Sequence, residues 1–453
     1  MCLRIVGRFF LLALILLIGG LSPDSASTQD KPNIIWFMAD DLGYGDLGCY
    51  GQKVIQTPNI DRLAEQGMRF TDCYAGSTVC APSRCCLMTG LHTGHAYIRG
   101  NKRVPLRPED VTIAEVLKED GYVTGQFGKW GLGEPDTTGG PLNQGFDRFF
   151  GYTDQGHAHN YYPEFLWDDN EKITLEGNLN GKQGQYSHNL IMEKGLEFVR
   201  ENKDKPFFLY YSVTLPHANN EYGRETGDGM QVPDYGVYAK KDWPNPQKGH
   251  AAMIALLDSD FGRLTKLLDD LGIADNTIIF FTSDNGPHRE GGADPDFFDS
   301  NGPLRGIKRD LYDGGIRVPM IVRWPGKVKP GSVSDFVWAF WDFAPTAAEI
   351  AGTSMPGEID GQSIVPTLLG KDQREHEYLY WEFHERAFKQ GVRFGEWKGV
   401  RNDLDKPIEI YHVTEDLGEE KNLAEEKPDL VEKVKGWFES ARTESEHWPV
   451  KKG

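Results

Sequence analysis

Four runs along the chain stay apolar for the length of a strand and then stop at polar residues. Asn33–Ala39 ends before Asp40 and Asp41, Val123–Gly128 before Lys129, Phe207–Val213 before His217, and Thr277–Ser283 before Asp284 and Asn285. Short runs rich in β-branched and aromatic residues read as strands. Between them the period changes. Thr57-Pro58 precedes Ile60, Leu63 and Ala64; Thr112 precedes Ile113, Val116 and Leu117; and apolar residues at three- and four-residue steps run through Met253–Leu271. These stretches predict helices, the first two with start signals. Strands alternating with helices predict an α/β fold.

In open α/β sheets, ligands bind beyond the carboxyl ends of the strands. The four polar clusters are therefore expected to converge on one crevice, although they are far apart in sequence. After about residue 365 the texture changes. Glu377–Phe383, Gly391–Arg401 and Ile408–Val413 are short β-rich pieces, and Asp429–Arg442 is a charged amphipathic helix. This predicts a catalytic domain over 31–365 and a smaller C-terminal domain over 366–453, an antiparallel sheet plus a helix. The Gly- and Pro-rich segments Gly131–Pro141 and Pro287–Pro303 are expected as long loops over the crevice.

The first residues form a separate pattern: Arg4 and Arg8, the apolar run from Phe9 to Ile18, then small and polar residues. Residues 1–26 are read as a signal peptide. The run is short for a bilayer span and no comparable run follows, so an exported protein, periplasmic or secreted, without stable membrane insertion is expected. Lys and Arg total 49 against 68 Asp and Glu, a formal charge of −19. That balance argues against nucleic acid as a partner, and an anionic substrate would need a locally basic pocket. Of six cysteines, Cys73, Cys80, Cys85 and Cys86 cluster too tightly for an ordinary disulfide framework.

Cys80 carries the most information. Pro82 suits a first helical turn, which places Cys80 beside the free N–H groups of a helix start, a location that favours anions. The run continues through Thr89 to a stop at Gly90, with Arg84 on the first turn. Asp40, Asp41, Asp284 and Asn285 offer three carboxylates and one amide oxygen, a hard-cation set that suits calcium better than zinc; oxygen ligands alone leave magnesium as the alternative.

Cys80, Pro82, Ser83, Arg84, Thr89 and Gly90 resemble the signature of the type I, formylglycine-dependent sulfatases, the arylsulfatase and N-acetylgalactosamine-sulfatase kind. The likeness continues from Asn33-Ile34-Ile35 through Thr57–Ala64 to Ile410-Tyr411 and Lys421–Ala424. It implies an alkaline-phosphatase-like fold, with a large, mixed, mostly parallel sheet flanked by helices. It also implies conversion of Cys80 to formylglycine by a formylglycine-generating enzyme, and one metal ion on Asp40, Asp41, Asp284 and Asn285. Lys129, His217 and Lys308 match family positions that grip sulfate or assist the leaving oxygen, and Arg84 would stabilise the hydrated aldehyde. One hydroxyl of that hydrate attacks sulfur; loss of the proton from the other regenerates the aldehyde and expels sulfate. His217 is the expected donor to the departing alcohol, a role Lys308 shares.

One position departs from the pattern. The family commonly has His two residues after Lys129, where this chain has Gly131. His157 or His159 is expected to fill that gap or to contact a sugar. The aromatic and amide-rich His157–Tyr162 segment suits a pyranose, so a sulfated saccharide with galactose or N-acetylgalactosamine units is the expected substrate. A phosphatase or phosphodiesterase of the same fold would use Ser or Thr with two zinc ions and several His ligands, which are lacking here. An inactive carbohydrate-binding homologue has only Gly131 in its favour.

Overall fold

The computed structural model describes residues 31–450. The signal-peptide reading of 1–26 lies outside the described residues. A ten-stranded sheet organises most of the chain. Its order from one edge to the other is Ser332–Ser334, Met68–Phe70, Met320–Arg323, Thr277–Ser283, Asn33–Ala39, Phe207–Ser212, Val123–Lys129, Arg148–Tyr152, Phe165–Asp168 and Glu171–Thr174. The five strands from Thr277–Ser283 to Arg148–Tyr152 are mutually parallel, and Met320–Arg323 and the last two strands run antiparallel to their neighbours. The sheet is thus large, mixed and mostly parallel, as expected.

Every residue of the Asn33–Ala39 strand is buried, because the sheet is covered on both faces. Side chains alternate along a strand. Trp36 accordingly packs against Phe280, Phe340 and Phe343 on one side, and Phe37 against Tyr211, Phe261 and Phe281 on the other. The Asn245–Asp270 helix belongs to the Phe37 side, and the Cys80–Thr89 and Phe343–Ala351 helices to the Trp36 side. The helix over Ile113–Glu119 begins with a reciprocal cap: Thr112 accepts from the Glu115 N–H and the Glu115 carboxylate accepts from that of Thr112.

The C-terminal part forms a four-stranded antiparallel sheet, Leu379–Phe383, Lys389–Phe394, Trp397–Arg401 and Glu409–His412. The Pro428–Ser440 helix lays Val434, Trp437 and Phe438 on it. The stretch Gly391–Arg401, expected as one piece, is two strands joined at Gly395 and Glu396. Gly395 has φ 49°, and only glycine makes that reversal without cost. All five described cysteines are free thiols. Among the described residues no helix is long and apolar enough to cross a membrane.

Candidate active site

The neighbouring parallel strands Asn33–Ala39 and Thr277–Ser283 end in register, Ala39 opposite Ser283. Asp40-Asp41 and Asp284-Asn285 therefore leave the sheet side by side. The link is locked by backbone: Asp284 N–H donates to the Ala39 carbonyl at 3.1 Å, and Asp41 N–H to Asp284 Oδ1 at 3.1 Å. Asn285 donates from Nδ2 to Asp41 Oδ1 at 2.6 Å, and its Oδ1 is buried with no partner. An unpaired buried amide oxygen on a residue bonded to Asp41, with the buried carboxylates of Asp40, Asp41 and Asp284 close by, is the chemistry of a hard-cation donor set. Asp40 and Asp41 belong, with Cys80 and His217, to a buried cluster that could hold a metal ion, and the oxygen donors of Asp284 and Asn285 beside it are of the kind a hard cation takes.

The helix Cys80–Thr89 points its start at the same place and stops at Gly90, φ 72°. Ser83 ties it down by donating from Oγ to the Asp284 carbonyl at 2.6 Å. Cys80 Sγ then lies 3.4 Å from Asp40 Oδ1. One turn on, Arg84 Nη2 reaches Asp284 at 2.8 Å and Asp40 at 3.3 Å, while Nη1 donates to the Lys129 carbonyl at 2.5 Å. Lys129, the last residue of its strand, places Nζ 2.7 Å from Asp40 Oδ2, and Lys308 places Nζ 2.8 Å from Asp41 Oδ2. All of these residues are buried.

Three carboxylates face three cations, so a divalent ion joining them would leave excess positive charge for an anionic ester. Burial alone would push the Asp40 carboxyl up; Lys129 and the other cations outweigh it and hold the group well below the usual carboxylate range. Asp284 goes the other way: burial and the adjacent Asp40 push it up to about 6. Burial also pushes the Cys80 thiol well up, with Asp40 adding to the shift. As a plain cysteine, the side chain is a protonated thiol and a poor nucleophile.

His217 Nδ1 lies 2.7 Å from the Ala218 carbonyl, so Nδ1 carries the hydrogen and Nε2 offers a lone pair. Lys308 Nζ donates to that lone pair at 3.0 Å. Burial, and then Lys308, hold the imidazole well below its ordinary pKa. His217 is thus arranged as an acceptor of the Lys308 ammonium, whereas the sequence leads one to expect it as a proton donor. His159 is brought to the site: its ring stacks on His217 with centroids 4.7 Å apart, and its Nδ1 lies 3.1 Å from Glu221. His157 is not brought into the cluster. Both sit on one 3-10 turn, where residues two apart point in different directions. The His157 ring packs instead on Phe165 and Tyr152, centroids 4.3 and 5.0 Å away, and burial lowers its pKa to about 4. It borders an open cleft of about 460 Å³ shared with Asn160, Tyr162, Asn219, Glu221 and Tyr222.

Asn101 and Glu290 are among the residues of the site that went unread in the sequence, as is His288, buried beside His217 with ring centroids 5.8 Å apart. Asn101 Oδ1 accepts from the Ala81 N–H at 3.0 Å, satisfying a donor next to Cys80. Glu290 stands 3.6 Å from Lys308 and 2.7 Å from Arg309, a counter-ion at the edge of the cluster. Both lie in irregular segments with no periodicity to single them out.

The comparisons with known proteins agree with this geometry. The sulfatase family model matches residues 32–353, and the model for the C-terminal region of N-sulphoglucosamine sulphohydrolase matches 307–443. The chain is 30% identical to an N-acetylgalactosamine-6-O-sulfatase of Bacteroides thetaiotaomicron, over 93% of this chain and 95% of that protein. It is 34% identical to human arylsulfatase A, over 81% of this chain and 74% of that protein. Its fold superimposes on the crystal structure of Ps i-CgsB in complex with k-i-k-neocarrahexaose with a TM-score of 0.79 at 27% identity, covering 93% of this chain and 95% of that one. On the family model, the relatives and the alkaline-phosphatase-like architecture together, the chain belongs to the sulfatase family, the sulfuric ester hydrolases.

Proposed function

We propose that the protein is an exported hydrolase that removes sulfate from galactose- or N-acetylgalactosamine-type units of a sulfated saccharide, with Cys80 matured to formylglycine and calcium as its metal. The observation that carries this reading is Cys80 Sγ 3.4 Å from Asp40 Oδ1, where Arg84, Lys129 and Lys308 also converge. Sγ marks the position that a hydroxyl of the matured residue would take. The relatives support the substrate class: one is named an N-acetylgalactosamine-6-O-sulfatase, and one solved neighbour is in complex with k-i-k-neocarrahexaose.

Asp40, Asp41, Asp284 and Asn285 would hold the ion, which supplies a positive centre for a sulfate oxygen. The matured residue supplies two hydroxyls on one carbon, so that sulfate can leave without attack by a separate water. The remaining work is positioning and charge. Arg84 holds the nucleophile end of the helix against Asp40 and Asp284. Lys129 and Lys308 grip the non-bridging oxygens. Lys308 carries a proton within reach of the leaving oxygen, and the His217 lone pair aims that ammonium. His159 backs the His217 ring and forms part of the sugar-facing wall.

Maturation requires a formylglycine-generating enzyme in the producing cell. The test is a screen of galactose and N-acetylgalactosamine monosulfates, and of 4-nitrophenyl sulfate, for released sulfate by the chain produced with that enzyme. Turnover of a sugar sulfate is expected. Inactivity on every ester would defeat the reading, and activity on the aryl ester alone would defeat its sugar part.

A further inference from the structure

The position two residues past Lys129, where the family pattern commonly has histidine, is a glycine with φ 81°. A Cβ built there would lie 1.9 Å from Nε2 of Gln155. The space is therefore taken by another side chain. The encounter follows from strand register: Lys129 pairs with Tyr152, Trp130 N–H donates to the Tyr152 carbonyl at 2.8 Å, and Gly131 N–H to the Thr153 carbonyl at 3.1 Å. Two residues beyond Thr153, Gln155 folds back over the bare glycine.

Both amide atoms of Gln155 are buried without a protein partner. A primary amide in that state has lost hydrogen bonds to water and gained none, which costs stability unless a ligand completes it. Gln155 and Gly131 line a small cleft together with Asn101, Val104, Pro105 and Glu134. The cleft adjoins the reacting centre on two sides. Asn101 receives the N–H of Ala81, next to Cys80, and Gly131 follows the strand that ends in Lys129.

The chemistry of the cleft is that of a hydroxyl site. Its cations are engaged: Arg103 is paired with Asp154 at 2.7 Å and Lys102 donates to the His447 carbonyl at 2.9 Å. The Glu134 carboxylate accepts from the Thr153 hydroxyl, and the unpaired Gln155 amide offers one donor face and one acceptor face beside the apolar surfaces of Val104 and Pro105. That combination fits a neutral pyranose edge.

We propose that Gln155 is a specificity-determining residue that hydrogen-bonds a hydroxyl of the sugar carrying the scissile sulfate, occupying the place that histidine holds elsewhere in the family. This rests on the sulfatase reading above. An amide does not ionise near neutral pH and so is no general acid or base; the residue acts on binding and orientation and leaves proton transfer to Lys308.

The test compares wild-type, Gln155→Met and Gln155→Asn chains, each matured, on two substrates: N-acetylgalactosamine 6-sulfate, or galactose 6-sulfate if the wild type turns it over faster, and 4-nitrophenyl sulfate. Methionine keeps the length and removes both hydrogen bonds. Its KM for the sugar ester should rise about tenfold, as for one lost hydrogen bond, with kcat within about threefold. The loss in kcat/KM should exceed that on the aryl ester by a similar factor. Should Gln155→Met fail to fold, Gln155→Asn, which keeps the amide but withdraws it by one methylene, should show the same substrate-selective rise. A sugar KM within about twofold of wild type, or equal losses on both esters, overturns the proposal. A wild-type chain that releases sulfate from neither ester overturns the sulfatase reading instead, and the proposal with it.

Discussion

Lys308 donates from Nζ to the Nε2 lone pair of His217 at 3.0 Å, and the same ammonium holds Asp41 at 2.8 Å. The His217 ring is fixed by its other nitrogen against the Ala218 carbonyl. The pair behaves as one unit in which lysine carries the proton and histidine aims it. Removing either half should therefore cost nearly as much as removing both. His217→Ala and Lys308→Ala are each expected to lower kcat by about 10²- to 10⁴-fold, and the double variant by little more than the worse single one. The loss should be larger on sugar esters than on 4-nitrophenyl sulfate, whose leaving group needs no proton. Steady-state kinetics on both esters checks this; additive losses would separate the two roles.

Asn285 Oδ1 lies buried and unpaired while its Nδ2 donates to Asp41. An ion that binds there only in the folded state should stabilise the protein, by about 2.7 kcal/mol at a hundred times its dissociation constant. Treatment with a chelator should lower the melting temperature, and added calcium should restore it more effectively than magnesium. Asp41→Asn should abolish the calcium-dependent rise. Calorimetry with and without calcium reads the effect, and a melting curve indifferent to both ions would remove the metal from the account.

The Arg84 guanidinium is fully buried between Asp40 and Asp284. Removing one member of a buried ion network leaves uncompensated charge and costs about 3–5 kcal/mol. Arg84→Ala should show that loss in urea unfolding at neutral pH. Arg84→Lys should recover part of it but not the hydrogen bond to the Lys129 carbonyl.

His92 lies far from this chemistry and carries a pH signature. Burial lowers its pKa to about 4. The unfolded chain would take up a proton near pH 6.5, whereas the folded one resists until about pH 4. Its neutral form therefore stabilises the fold fully above pH 6.5, and that contribution, on the order of 3 kcal/mol, is lost as pH falls towards 4. Other groups, including Asp284 with its raised pKa, titrate in the same window with the opposite sign. The comparison with a variant isolates His92: the melting temperature of His92→Gln relative to wild type should rise steadily from pH 7 to pH 4.5. A constant difference would show that His92 is not buried as a neutral ring.

Much of the site is legible in the sequence because strand ends are. An apolar run such as Thr277–Ser283 must sit inside the sheet, so the polar pair that ends it, Asp284 and Asn285, must stand at the sheet's carboxyl edge. The helix start at Cys80 is legible for a similar reason, being set by Pro82 and the Gly90 stop. What escapes is contact created by tertiary register. Gln155 meets Gly131 only because the Val123–Lys129 and Arg148–Tyr152 strands pair parallel. Glu290 meets Lys308 across a long loop. The direction of the proton between His217 and Lys308 depends on one carbonyl, that of Ala218, which no sequence pattern marks. The His157 and His159 expectation shows the same limit, since both lie in one short turn and only the phase of that turn places His159 on His217.

Cys80 is not expected to work as a thiol. Buried beside Asp40, it would stay protonated. Mass spectrometry of the peptide spanning Cys80, from the chain produced alongside a formylglycine-generating enzyme, tests this most directly. The expected peptide has lost sulfur, gained a carbonyl and reacts with a hydrazide probe. An intact cysteine at position 80 in protein that nonetheless releases sulfate at full rate would contradict this expectation.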